Sequence, residues 1–139
     1  MIDRMAAMDA IKASITAAKT TIGLKTFKWA AEDPSINFDE LSCVFLGVGP
    51  DDIKKYCNRG HLGYPAAREA QIVVELVVEA SVSIETMFQA LRKAILDNYQ
   101  ISATSTIREI KSIGPIGYNI PGVKGASLIL GLDYIDSGF

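Results

Sequence analysis

The chain has 139 residues, 49% of them hydrophobic and 22% charged, and a formal net charge of −2. That is the size of one ordinary domain, with enough apolar content for a core that needs neither disulfide nor metal, and its charge gives no reason to expect nucleic-acid or anionic-membrane binding. No apolar run approaches the roughly 18–20 residues that cross a bilayer. Asp3, Arg4, Asp9 and Lys12 interrupt any apolar leader-like stretch, so no secretion signal is read. With Cys43 and Cys57 as the cysteines and His61 as the histidine, a three-His or four-Cys zinc centre is out of reach, and a reducing cytosolic folding compartment is the default expectation.

Residues 2–22 predict an amphipathic helix, because Met5, Met8, Ile11, Ile15, Ala18 and Ile22 recur in steps of three and four. Gly23 stands where a left-handed C′ glycine ends a helix. LKTFKWA, 24–30, alternates as a short strand, EDPS at 32–35 marks a turn, and LSCVFLGVG, 41–49, predicts a buried strand ended by glycine and Pro50. PDDIKKYCNRGHLGYP, 50–65, reads as a long loop with a basic cluster and two tyrosines.

AREAQIVVELVVEA, 67–80, is rich in Val and Ile and predicts a strand of about 45 Å, long for a domain this small. Its Gln71, Glu75 and Glu79 share one face with Val73 and Val77. SVSIETMFQALRKAILDNY, 81–99, switches to helical period, with Ile84, Met87, Phe88, Leu91, Ala94 and Ile95 on one face and Ser81 or Ser83 as N-cap. In 104–114 the alternation puts Ile107, Glu109, Lys111 and Ile113 on one side and Arg108 with Ile110 on the other. GPIGYNIPGVKG, 114–125, reads as a connecting loop or extended hairpin tip. ASLILGLDYID, 126–136, closes as a strand with Ala126, Leu128, Leu130, Leu132 and Tyr134 on one face. Pairing 41–49 with 67–80, and 104–113 with 126–136, predicts an α+β fold: a mostly antiparallel sheet with two amphipathic helices on one face.

Catalytic motifs are weak. Glu75 and Glu79, four apart on a strand, stand about 13 Å apart, beyond the roughly 5–9.5 Å of glycosidase carboxylate pairs. They read as the wet face of a strand. His61 has no Cys–His signature around it and reads as a surface histidine. GVGPDD, 47–52, lacks the third glycine and the following helix of a dinucleotide site. Lys54, Lys55, Tyr56 and Arg59 form a basic-aromatic cluster that reads as a solvated loop. The sequence implies no cofactor and no metal site.

What a simple monomer leaves unexplained is the overlong strand and the two Gly- and Pro-rich loops, natural material for subunit contacts. The order of LSCVFLGVG, a charged loop, AREAQIVVELVVEAS, SIETMFQALRKAIL and a final KGASLILGLDYID resembles the tail terminator proteins of tailed bacteriophages, of the lambda minor tail protein U type and its contractile-tail relatives. The resemblance covers nearly the whole chain as element order and texture, without a signature motif. It implies a non-enzymatic virion protein at the head-proximal end of the tail, assembled in the host cytoplasm as a homohexameric ring. Its partners would be other copies of itself, the tail tube protein, the head–tail connector and possibly sheath, with DNA passing through the lumen unbound and no membrane involved. Candidate interface residues are then Asp51, Asp52, Lys54, Lys55, Tyr56, Arg59, His61, Tyr64 and Arg68 around the first loop, and Tyr118, Asn119 and Lys124 in the second. Another connector, head-completion or tail-tube protein is the neighbouring alternative. A small α+β enzyme using His61 and carboxylates is the alternative from another class.

Overall fold

In the computed structural model, which describes residues 3–32, 35–56, 66–102, 105–117 and 121–136, the heptad-like stripe at the N-terminus becomes helix α1, Asp3–Ala17, continued by a short α2, Lys19–Ile22. Gly23 ends α2 at φ 90°, a left-handed value that favours glycine, and its N–H donates to the Lys19 carbonyl. Met8, Ile11, Ile15 and Ile22 are buried as the stripe predicts, joined by Ala7. Met5 is not: it is 52% exposed.

Six strands follow. They are β1, Thr26–Trp29; β2, Cys43–Tyr56; β3, Ala66–Glu79; β4, Gln100–Ser102; β5, Ser105–Gly117; and β6, Val123–Asp136. Helix α3, Ile84–Leu96, lies between β3 and β4, with Ser83 at its N-cap. The sheet order is β1-β2-β3-β6-β5-β4. The β1–β2 pair is parallel and every other pair antiparallel, so the fold is α+β with a mixed, mostly antiparallel sheet.

The central ladder runs unbroken from Ala66↔Asp136 to Glu79↔Val123. One face of it packs under the helices. Ile72, Val74 and Leu76 of β3 and Leu128, Leu130 and Leu132 of β6 are fully buried against Ile15 of α1 and Leu91 and Ile95 of α3. Burial of a side chain of this kind is worth roughly 1.5–3 kcal/mol, which makes this the main source of the fold's stability. Lys12 ties α1 to the first strand, its ammonium 5.3 Å from the Trp29 ring centre and 5.5 Å from that of Phe27.

A smaller cluster on the reverse face joins Cys43, Phe45, Val77 and Val123 to Ala30, Ile36 and Leu41. The buried Lys28 clasps this segment: its ammonium donates to Glu40 Oε1 at 2.9 Å and to the Ser35 carbonyl at 3.1 Å. Pairing with a carboxylate is what allows a lysine to be buried there.

Three sequence expectations change. Residues 50–56 are not loop but the second half of β2, registered on β3 from Asp51↔Ala70 to Tyr56↔Ala66. Of the two readings of 114–125, the connecting loop gives way to the extended hairpin, since 114–117 and 123–125 belong to the paired strands β5 and β6. Finally, a bulge between Ile107 and Glu109 reverses the expected facing in β5: Ile107 and Ile110 join the helix-side core, apart from Glu109, Lys111 and Ile113. A bulge inserts one residue and so shifts every later side chain to the other face.

Candidate interface surface

The reverse face of the ladder beyond the small cluster is more polar than the helix side, with Val73 and Ile129 half-buried near its middle. It carries Glu69, Gln71 and Glu75 from β3 and Gly131 and Asp133 from β6, in the alternation the sequence shows. Glu69 and Asp133 are direct cross-strand partners, and like charges in that relation repel. The bulge residue Arg108 resolves this. Its guanidinium pairs with Glu69, reaches Asp133 Oδ1 at 3.2 Å and Glu109 Oε1 at 3.3 Å, and so ties β5, β6 and β3 together.

Burial draws the Arg108 pKa down. The Asp133 hydrogen bond and the charges of Glu69, Asp133 and Glu109 more than reverse this, and the group ends above its ordinary value. Gly131 is the floor under it: a Cβ there would stand 2.9 Å from both Arg108 Nη2 and Glu109 Cγ. Glu75 is half-buried, and burial pushes its carboxyl above the usual carboxylate range.

On the helix side, where β1 stops, an apolar groove of about 410 Å³ opens between the first turns of α1 and β2. Met5, Met8, Trp29, Leu46 and Val48 line it, with Arg4, Asp9 and Glu32 among its charged residues. None of these side chains is a nucleophile. Among the described residues no three His, Cys, Asp or Glu side chains gather as a metal site would need.

The candidate residues divide by place. Arg59, His61, Tyr64, Tyr118 and Asn119 lie outside the described residues. Asp51, Asp52, Lys54, Lys55 and Tyr56 sit in strand β2, and Arg68 stands opposite Ile53 in β3. Lys124 stands at the other end of the sheet, opposite Val78 and Gly117. Tyr56 of β2 meets Ala66 at one end of the ladder, and Gly117 of β5 meets Lys124 at the other. The described members of the two sets, those of β2 with Arg68 on one hand and Lys124 on the other, therefore stand at opposite ends of one sheet.

The Arg108 cluster escaped the sequence reading because plain alternation placed Arg108 beside Ile110. The groove escaped it because Met5 read as core. An Arg whose carboxylate partners stand on two other strands carries no signal that spacing can reveal.

No protein-family model matches the chain, and no curated protein matches it. Among solved structures, a chain of the virion of a native gene transfer agent particle is similar over 93% of this chain and 93% of that one, at 12% identity and a TM-score of 0.52. At that identity the likeness is one of fold.

Proposed function

We propose that this protein is a structural virion component that caps a tail tube as a hexameric ring, ends tail polymerisation and offers the surface to which the head joins. The observation that carries this reading is the shared fold with a gene transfer agent virion chain across almost the full length of both. The sheet geometry supports it. A cap has to meet the tube on one side and the connector on the other, and the Tyr56↔Ala66 and Gly117↔Lys124 pairs stand at opposite ends of a ladder that runs from Ala66 to Glu79. A ring needs one patch that binds a different patch on the next copy.

The test is assembly without the protein. Electron microscopy of particles made in its absence is expected to show tubes of uncontrolled length or tails free of heads. Tails of uniform length joined to heads would overturn the reading. The neighbouring alternative, a tail-tube component, is separated by copy number: a cap supplies six copies per particle, about one ring, whereas a tube protein supplies many rings. A strictly monomeric protein that stays off purified tails and loses an activity on His61→Ala would favour the enzymatic alternative instead.

A further inference from the structure

The four long strands end in two open edges. Strand β1 accompanies β2 only from Cys43 to Leu46, and β4 accompanies β5 only at Ser105 and Thr106. Among the described residues, no strand pairs the outer side of β2 from Val48 to Tyr56 or of β5 from Arg108 to Gly117. These are edges of near-equal length on opposite sides of the same sheet. An exposed edge of that length is a template for another strand.

We infer that the β5 edge of one copy pairs with the β2 edge of the next, so that the sheet runs on from subunit to subunit. The inference rests on the ring reading above and names the surface by which the ring closes.

Four observations converge on it. First, β2 and β5 run in opposite directions, because three antiparallel pairings separate them. Rotation about a ring axis keeps the component of strand direction along that axis, so in a ring whose strands run along its axis β5 meets the next β2 antiparallel, the more stable pairing. Second, each edge carries an exposed large apolar side chain: Val48 on β2 is 50% exposed and Ile113 on β5 is 47% exposed. They lie on opposite faces of the sheet, Val48 beside the Met5–Met8 groove and Ile113 opposite Ser127, so a continued sheet would cover apolar surface on both faces.

Third, the irregularities sit in the outer strands. β2 shifts register between Val48 and Asp51 and between Ile53 and Lys55, and β5 between Ile107 and Glu109 and between Ile113 and Ile116, while the β3–β6 ladder has none. Bulges bend and twist a strand, as at the rims of barrels, and a sheet that closes on itself needs that curvature. Fourth, among the described residues both edges are open in the same chain. Pairing two identical edges would cover one and leave the other open. Head-to-tail pairing covers both.

Single-edge variants test this by sedimentation and native mass spectrometry. Wild type is expected to form hexamers. Val48→Lys alone and Ile113→Lys alone are each expected to be monomeric, with unchanged circular dichroism. Mixed in equal amounts they should form a dimer and nothing larger, since one keeps a sound β5 edge and the other a sound β2 edge. Leu96→Lys, on the exposed end of α3, should assemble like wild type.

If either edge variant assembles like wild type, the edge pairing is wrong while the ring reading stands. If one variant dimerises by itself, the pairing is between identical edges and the proposal fails. Should lysine unfold the chain, Val48→Thr and Ile113→Thr keep strand preference and should weaken assembly about tenfold per interface, roughly the loss of one buried side chain's partial burial. Unchanged assembly by both threonine variants also overturns the proposal. Wild type that stays monomeric even with tail tubes present defeats the ring reading itself.

Discussion

The two faces of the β3–β6 ladder are built from alternate residues of the same strands, yet they do different work. On the helix side, Ile72, Val74, Leu76, Leu128 and Leu130 are fully buried in one apolar cluster. On the reverse side, Glu69, Glu109 and Asp133 are held by an ion-pair network around Arg108. The first face gives stability through removal of apolar area from water. The second contributes little stability, since half-exposed ion pairs are worth about 0–1 kcal/mol. What the second face fixes is position: Arg108 spans three strands and sets how the outer strand lies on the ladder.

The largest expected effect is on the first face. Leu130→Ala leaves a cavity between Ile72 and Ile110, its cross-strand neighbours, and should cost about 2–5 kcal/mol in chemical denaturation. Ile129→Ala, one residue away on the half-buried reverse face, should cost about 1 kcal/mol. Equal losses in the isolated subunit would mean that the reverse face is as well packed as the helix side, and the contrast would fall.

The contrast between faces was legible in the sequence for β3 and β6. The alternation of Gln71, Glu75 and Glu79 against Ile72, Val74 and Leu76 needs no partner to be read, and neither does the Leu128–Leu132 stripe. The helices were legible from their three-and-four spacing and from Gly23. The second half of β2 was not. Pro50, Asp51, Asp52, Lys54 and Lys55 have low strand preference, and they are strand because β3 offers them a long partner. β4, Gln100–Ser102, is too short to carry a period. The facing of β5 was lost for a physical reason: one bulge residue, Arg108, inverts the pattern after it, and the bulge is a property of the pair of strands. The candidate interface residues that the structure describes fall at the two ends of the sheet, but sequence alone reads those of β2 as loop and does not resolve which parts of β2 and β5 are open edges.

The middle-sized effects belong to the Arg108 network. Gly131→Val puts methyls where Arg108 Nη2 and Glu109 Cγ already stand, 2.9 Å from the position of its Cβ. Overpacking of this kind costs about 1–3 kcal/mol. Arg108→Met alone should cost about 1 kcal/mol or less and should lose most of that difference in high salt, as a surface ion pair does. The double variant should be more stable than the two losses added together, because removing the guanidinium removes much of the clash. Strict additivity would show that Gly131 is small for a reason unconnected with Arg108.

The smallest effect, in stability at neutral pH, comes from Glu75, and its sign separates burial from pairing. Burial raises the folded-state pKa above the ordinary 4.5, so the folded chain holds this proton more tightly than the unfolded chain does. The stability linked to that proton is complete below 4.5 and is lost as pH rises through the folded value. Glu75→Gln cannot ionise. It should therefore melt slightly higher than wild type at pH 7, with the gap closing as the pH falls to 4.5 and below. A variant less stable than wild type at pH 7, with the deficit shrinking on acidification, would mean that a cation holds the carboxylate ionised. The same measurement on assembled particles sharpens the comparison of faces. A neighbour laid over the reverse face would bury Glu75 further and enlarge the gain at pH 7. Subunits joined edge to edge leave that face as it is in the single chain, and the gain should then be the same before and after assembly.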